Sequence, residues 1–247
     1  MRRLLVALAL LLAALGPFSI APARADGFSP AQHDEIVQIL RQALKTDPTI
    51  LRDALLALQA DEDRSHERAM SDAIGTMGKQ LFDSADAIEG NPAGDVTMVE
   101  FYDTRCPYCR RMLPVMTQLM QAEPGLKLVM KDLPILGPNS TLESRALLAA
   151  QRQGGYFKLR DALMASNAPA SPPAIRDTAT RLGLDGDKLL ADMDDPAIKA
   201  RLDANIALAQ KIGVQGTPAM IVGRQVLAGA ADLPELRQAI AEARRTR

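Results

Sequence analysis

The 247-residue sequence contains no tryptophan, three tyrosines and five phenylalanines, so any core it builds is mainly aliphatic. It has two cysteines, too few for a disulfide-rich scaffold and too few for a four-cysteine zinc site. Lys and Arg total 29 against 30 Asp and Glu, a net charge of -1, and no basic block occurs. That balance gives no electrostatic reason to expect a nucleic-acid partner. Beyond the N-terminus no apolar run is long enough to cross a bilayer. There is no internal repeat and no low-complexity tract. What is present is ordinary globular composition, 47% hydrophobic and 24% charged.

The first residues read as a leader rather than as fold. Arg2 and Arg3 precede an unbroken apolar run from Leu4 to Leu15, and Ala23-Arg24-Ala25 offers a small-residue cleavage site. A membrane anchor is the alternative, but the run is well short of the roughly 20 residues that span a bilayer. The pattern predicts export with cleavage after Ala25, and no lipobox-type cysteine lies nearby. The mature chain, 26–247, loses three arginines and carries a net charge of -4. In an oxidising compartment such as a bacterial periplasm, a close cysteine pair is either a disulfide or a redox centre that cycles.

Residues 26–85 read as a helical extension. Ser29-Pro30 and Asp47-Pro48 are helix starts, and Ile36, Val37, Leu40 and Leu44 recur at helical spacing. Ile50, Leu51, Ala54, Leu55 and Leu58 form a second stripe, which resumes at Met70, Ile74, Met77 and Leu81 after a polar stretch, 61–68, that suits an exposed linker. As one helix, 48–81 would be roughly 50 Å long. Such stripes are buried either against the following domain or against copies of the same segment in a bundle.

Glu89-Gly90-Asn91-Pro92-Ala93-Gly94 is turn chemistry and marks a boundary. Val96–Tyr102 is apolar on both faces, as a central strand is. Cys106-Pro107-Tyr108-Cys109 follows at once and opens a helix over 107–121 with Pro114 inside it. A strand at 126–133 comes next. Residues 140–212 are helical throughout, too long for a crossover, and read as an inserted helical subdomain. Two short strands at 218–222 and 225–227 and a last helix capped by Asp232 close the chain. The order gives an α/β fold, 86–245, with an insert at about 140–212.

The chemistry lies in the cysteine pair. Two intervening residues let both sulfurs come within bonding reach, and the positive end of a helix favours a thiolate over a thiol. Cys106 at the helix start is therefore the expected nucleophile that forms a mixed disulfide with substrate. Cys109, one turn inside and less exposed, is expected to resolve it, leaving a Cys106–Cys109 disulfide. A purely structural disulfide is the plainer alternative. Both histidines, His33 and His66, lie in the extension as solvated helix residues, so no zinc-finger pair and no cysteine-protease base is available near the motif. No metal and no cofactor is implied. Far along the chain, Gly213-Val214-Gln215-Gly216-Thr217-Pro218-Ala219 places a proline at the start of a strand. A cis Thr217–Pro218 bond would present the Thr217 backbone to an extended peptide beside the cysteines, whereas an ordinary trans turn proline would not.

Together these pieces resemble the DsbA-like thioredoxin-fold disulfide oxidoreductases. The resemblance is carried by Val99-Glu100-Phe101-Tyr102-Asp103, by the CPYC motif, by Lys131-Asp132-Leu133-Pro134-Ile135-Leu136-Gly137 and by Gly216-Thr217-Pro218, and it covers about 88–245. It implies a thioredoxin fold and redox activity on protein cysteines. Cys106 matches the nucleophile, Cys109 the resolving thiol, Thr217 and Pro218 the cis-proline loop, and Glu100 a buried acid that shuttles protons. An ion-paired strand carboxylate is the alternative for Glu100. Pro107, Tyr108 and Gly216 fall where substrate would lie. The dipeptide is Pro-Tyr, where DsbA itself has Pro-His, so no imidazolium adjoins the thiolate, which argues against an extremely oxidising potential. In layout the extension resembles that of the suppressor-of-copper-sensitivity C (ScsC-like) group, some of which trimerise through it and act as disulfide isomerases. The resemblance thus implies exported cysteine-containing substrates, a membrane thiol-disulfide redox partner, and a homotrimer or other homo-oligomer built by 26–85. The alternatives are a monomeric dithiol oxidase and a periplasmic copper(I)-binding protein that uses the two thiolates.

Overall fold

In the computed structural model, residues 27–83 and 85–246 are described, and the leader expected over 1–25 lies outside them. The chain divides into two compact units, the first ending at Ala60 and the second running from Asp61.

The first unit is helical. Helix α1, Pro30–Thr46, begins at Ser29, whose side chain caps Gln32 N while the Gln32 side chain caps Ser29 N, a reciprocal capping box. No residue of α1 is buried. Helix α2, Thr49–Leu81, contributes Ile50, Leu51, Leu55, Leu56 and Leu58 to this unit, all exposed. The stretch at 61–68, expected as a linker, is helical. Its Asp, Glu and Arg residues are compatible with helix, it holds no Gly or Pro, and Arg64 pairs with Asp61 one turn back.

The second unit is built on a five-stranded mixed sheet in the order β1-β3-β2-β4-β5. The strands are β1 Ala87–Gly90, β2 Val96–Tyr102, β3 Leu126–Asp132, β4 Ala219–Val222 and β5 Gln225–Ala228. β2 and β3 run parallel and the other pairings are antiparallel. β1 occupies the edge where only turn chemistry was expected. Four residues carry too short a pattern to announce a strand, and pairing with β3 defines it. The expected turn follows immediately, with Ala93 N donating to Asn91 Oδ1 and Gly94 N to Asn91 O.

Side chains alternate across the central strands, so two cores form. On one face Met98, Tyr102, Leu128, Met130 and Met220 meet α3, Pro107–Ala122, and α9, Leu233–Arg245. On the other face Val99, Phe101, Val129 and Ile221 meet Ile74 and Leu81 of α2 and Leu208 and Ile212 of α8, Pro196–Ile212. The expected helical insert is present as α4, Pro138–Gln151, α5, Tyr156–Ala165, α6, Pro172–Arg181, α7, Gly186–Met193, and α8. Ser171, Asp185, Asp195 and Asp232 cap α6 to α9 through their side chains, Asp232 as the sequence predicts. Gly213, in the left-handed region at φ 88°, ends α8 and turns the chain towards β4.

Candidate active site

β2 ends at Tyr102, and the next residues turn sharply into α3. Asp103 organises that turn. One carboxylate oxygen accepts Arg105 N at 2.8 Å, and the other accepts Ile135 N at 3.0 Å and Leu136 N at 3.1 Å. Its carbonyl accepts Cys106 N at 3.0 Å. One buried side chain thus ties the motif loop to the loop after β3.

Cys106 is the N-cap residue of α3, with no side-chain cap bond, and Pro107 occupies the first helical position. Both cysteines are free thiols. Both are also buried, Cys106 at 4% exposure and Cys109 at 1%. Burial pushes the Cys109 thiol up, and the charges of Glu100 and Cys106 push it the same way. Pro107 and Tyr108 are exposed, and the Arg111 guanidinium lies 4.5 Å over the Tyr108 ring.

The Thr217–Pro218 bond is cis. The Cys106 Sγ donates to Thr217 O at 3.2 Å, so two motifs 111 residues apart meet at one point. Gly216 and Thr217 are half-buried beside this contact and Pro218 is buried. Past Gly213 an open groove of about 460 Å³ runs along Leu133, Ile135, Ile206, Ala209 and Val214. Ile135, which lines it, is exposed, as is the adjoining Leu136.

Glu100 points to the same side of the sheet as Met98 and Tyr102, because these residues alternate along β2. It lines a cavity of about 10 Å³ together with Cys109, Met112, Met130 and Arg160. That is room for at most one water. Burial pushes the Glu100 carboxyl up to about 7, with Arg160 pulling it down and Glu89 pushing it up. The expected site residues Glu100 and Cys109 therefore adjoin one small cavity, while Cys106 and Thr217 are in direct contact.

Other groups at this end of the sheet are brought together from distant parts of the chain, and Thr104, Arg105, Arg110, Glu143 and Tyr156 carry no local signal of it. Thr104 donates to Glu143 Oε2 at 2.6 Å, and Arg105 pairs with Glu143 Oε1 at 3.3 Å and donates to Ala168 O at 2.9 Å. Arg110 donates to Thr104 O and Asn167 Oδ1. Apart from the Arg110–Thr104 bond, which is six residues apart, these bonds fasten the motif to the insert across 38 to 63 residues of sequence. Nearby, Tyr102 and Tyr156 share a hydrogen bond of 2.8 Å, and both reach the Asp132 carboxylate, at 3.2 and 2.8 Å. Burial raises Asp132 to about 7, opposed by the two tyrosine hydrogen bonds. No cluster of three or more His, Cys, Asp or Glu suited to a metal occurs among the described residues.

The DSBA-like thioredoxin domain pattern matches residues 97–241. A thioredoxin-like oxidoreductase from Silicibacter pomeroyi is 39% identical, with a TM-score of 0.65, covering 68% of this chain and 97% of its own. Proteus mirabilis ScsC in a transitional conformation is 26% identical, with a TM-score of 0.65, over 90% of this chain and 99% of that one. A periplasmic thioredoxin-like protein from Salmonella enterica serovar Typhimurium is 27% identical, with a TM-score of 0.62, over 69% and 97%. The curated relatives it matches are Na(+)/H(+) antiporters, of whose length the matched region spans 21 to 24%. Among the described residues no helix is long and apolar enough to cross a membrane.

Proposed function

The chain belongs to the family of DsbA-like thioredoxin domains and has the fold of their thiol-disulfide oxidoreductases, and from that premise we propose that it is an exported enzyme that exchanges disulfides with protein cysteines through Cys106 and Cys109. The observation that carries this reading is the 3.2 Å approach of Cys106 Sγ to Thr217 O. An extended peptide laid along the Thr217 backbone brings its own sulfur in line with Cys106.

The Cys106 thiolate attacks a substrate disulfide, a mixed disulfide forms and the substrate's other sulfur leaves as a thiolate. Cys109 then attacks the Cys106 sulfur, releasing the reduced substrate and closing the Cys106–Cys109 disulfide. For that step the Cys109 thiol must lose the proton that burial makes it hold. Glu100, on the same cavity and near neutrality in its titration, is positioned to take it. Pro107, Tyr108 and Gly216 border the peptide. In the reverse direction the same atoms oxidise a dithiol, and a membrane thiol-disulfide partner resets the pair.

The working assignment is isomerase or reductase in a homo-oligomer. It is supported by the first unit, whose α1 buries no residue and which exposes Ile36, Ile39, Leu40, Ile50, Leu51, Leu55, Leu56 and Leu58. Apolar stripes of this extent are typical of surfaces that pair with one another. Several active sites facing one misfolded substrate suit disulfide shuffling. The leader pattern at 1–25 supports export.

Light scattering and refolding of scrambled ribonuclease test both levels. The full mature chain is expected to be an oligomer that restores ribonuclease activity. A chain beginning at Asp61 keeps Ile74 and Leu81 in the second core, and it is expected to be a monomer that reduces disulfides without shuffling them. Equal shuffling by the two shows that shuffling does not need the oligomer and removes the oligomeric isomerase, whereas two monomers that oxidise dithiols without shuffling leave the monomeric oxidase. Loss of exchange only on substituting residues other than Cys106 and Cys109 overturns the assignment of the pair.

A further inference from the structure

The charges around Cys106 are lopsided. The segments fastened to the motif are Pro134–Gly137, held by Asp103, residues 166–170, held by Arg105 and Arg110, and residues 213–217, which bring Thr217 to Cys106. None of the three contains an acidic residue. The two carboxylates within the assembly are turned inward. Asp103, 1% exposed, is occupied by backbone N–H groups, and Glu143, 2% exposed, by Thr104 and Arg105.

The outward charges beside Cys106 are cationic. Arg110 is half-buried and close enough to Glu143 for its charge to act on that buried carboxylate, while its hydrogen bonds go to the neutral oxygens of Thr104 and Asn167. Arg111 is exposed, and its guanidinium is held over the ring of Tyr108, itself 53% exposed and placed between the two cysteines. The first turn of α3 has no acidic residue. A mature chain of net charge -4 therefore presents a positive rim at its reactive sulfur, with an aromatic ring beneath one of the charges.

We propose that this Arg110–Arg111–Tyr108 rim selects substrate polypeptides carrying acidic side chains next to the reacting cysteine. The proposal rests on the thiol-disulfide reading above and names the substrate class of that site. Arginine in a fixed position suits carboxylates, and the cation–π contact holds Arg111 over the Tyr108 ring with no carboxylate paired to it among the described residues. Charge complementarity at a partly exposed surface acts mainly on encounter and orientation, and salt weakens it.

The test uses the full mature chain, reduced, and three short peptides whose single cysteine is flanked by Glu, Gln or Lys. Each is supplied as its mixed disulfide with nitrothiobenzoate. Cys106 attacks the peptide sulfur and expels the coloured nitrothiobenzoate anion. Cys109 then expels the peptide thiol and closes the protein disulfide, so the probe is the only oxidant. At low ionic strength the Glu peptide is expected to react about tenfold faster than the Lys peptide. In about 1 M salt, where the screening length falls to about 3 Å, the ratio should approach one. Arg111→Gln should lower the ratio about threefold and Arg111→Glu should lower it further. A ratio near one in the unaltered chain, or a ratio untouched by both Arg111 variants, overturns the selectivity. If none of the three peptides releases nitrothiobenzoate from the folded chain, the exchange reading itself falls.

Discussion

The substitution Asp103→Asn should loosen the active site without changing its shape or volume. The carboxylate accepts three backbone N–H bonds, from Arg105, Ile135 and Leu136, through its two oxygens. An amide has one oxygen. Whichever way the substituted amide is turned, its NH2 group faces a backbone donor and at least one bond is lost, while the others lose the charge that strengthens them. Hydrogen bonds to charged groups contribute about 1.5–3 kcal/mol each, and leaving a buried donor unsatisfied costs a similar amount, so the net loss should be about 2–3 kcal/mol. For a unit of this size that lowers Tm by about 4–12 °C. The local signature is sharper. Amide hydrogen exchange at Ile135 and Leu136 should quicken by about 30-fold or more, since about 1.4 kcal/mol is a factor of ten. Exchange at Phe101 in the central strand should change only with global stability. Unchanged exchange at Ile135 and Leu136, with Tm within about 1 °C of the parent, would refute the role given to Asp103.

Stability should also depend on pH in a stated direction. Glu100 titrates near 7 when folded against 4.5 as the ordinary value, so the folded chain holds a proton that the unfolded chain releases. Its contribution is fully present below about pH 4.5 and is lost as pH rises through about 7, roughly 3 kcal/mol in all. Asp132 acts with the same sign. Denaturant unfolding from about pH 4.5 to about 8 should therefore show stability falling, with the Glu100→Gln chain falling less steeply, and parallel curves would contradict the placement of Glu100. Leu81→Ala should cost about 2–5 kcal/mol, because Leu81 is fully buried in the second core with Phe101, Val129 and Ile221, and a change below about 1 kcal/mol would mean that α2 does not cover that sheet face.

Much of the fold was legible because local signals agreed with one another. Val96–Tyr102 is apolar on both faces, and β2 is central in the sheet. Ser29 and Asp232 are caps in the sequence and in the structure alike, and the structure adds Asp195 as the cap of α8 and Gly213, with its positive φ, as its end. The contact between Cys106 and Thr217 was legible only as one of two alternatives, a cis Thr217–Pro218 bond against an ordinary trans proline, between which the family resemblance chose, since nothing local to either segment announces the other. The misses have physical causes too. β1 is four residues long and depends on β3 for its existence. The 61–68 stretch lacks apolar periodicity, yet without Gly or Pro nothing in it stops a helix that packing at Ile74 and Leu81 anchors further on. Asp103, Glu143 and the Tyr102–Tyr156–Asp132 cluster are made by partners 24 to 54 residues apart, and no spacing rule pairs them.

The central claim is that Cys106 and Cys109 form one redox couple. Its most direct test is to equilibrate residues 26–247 with thiol and disulfide buffers of graded potential, alkylate the free thiols, and weigh the protein and its peptides. The account predicts one two-electron transition in which both thiols disappear together, leaving a single Cys106–Cys109 disulfide, with a midpoint within the roughly -270 to -120 mV that such motifs span. Two thiols that stay free across the whole range, or that are lost independently of one another, would contradict it.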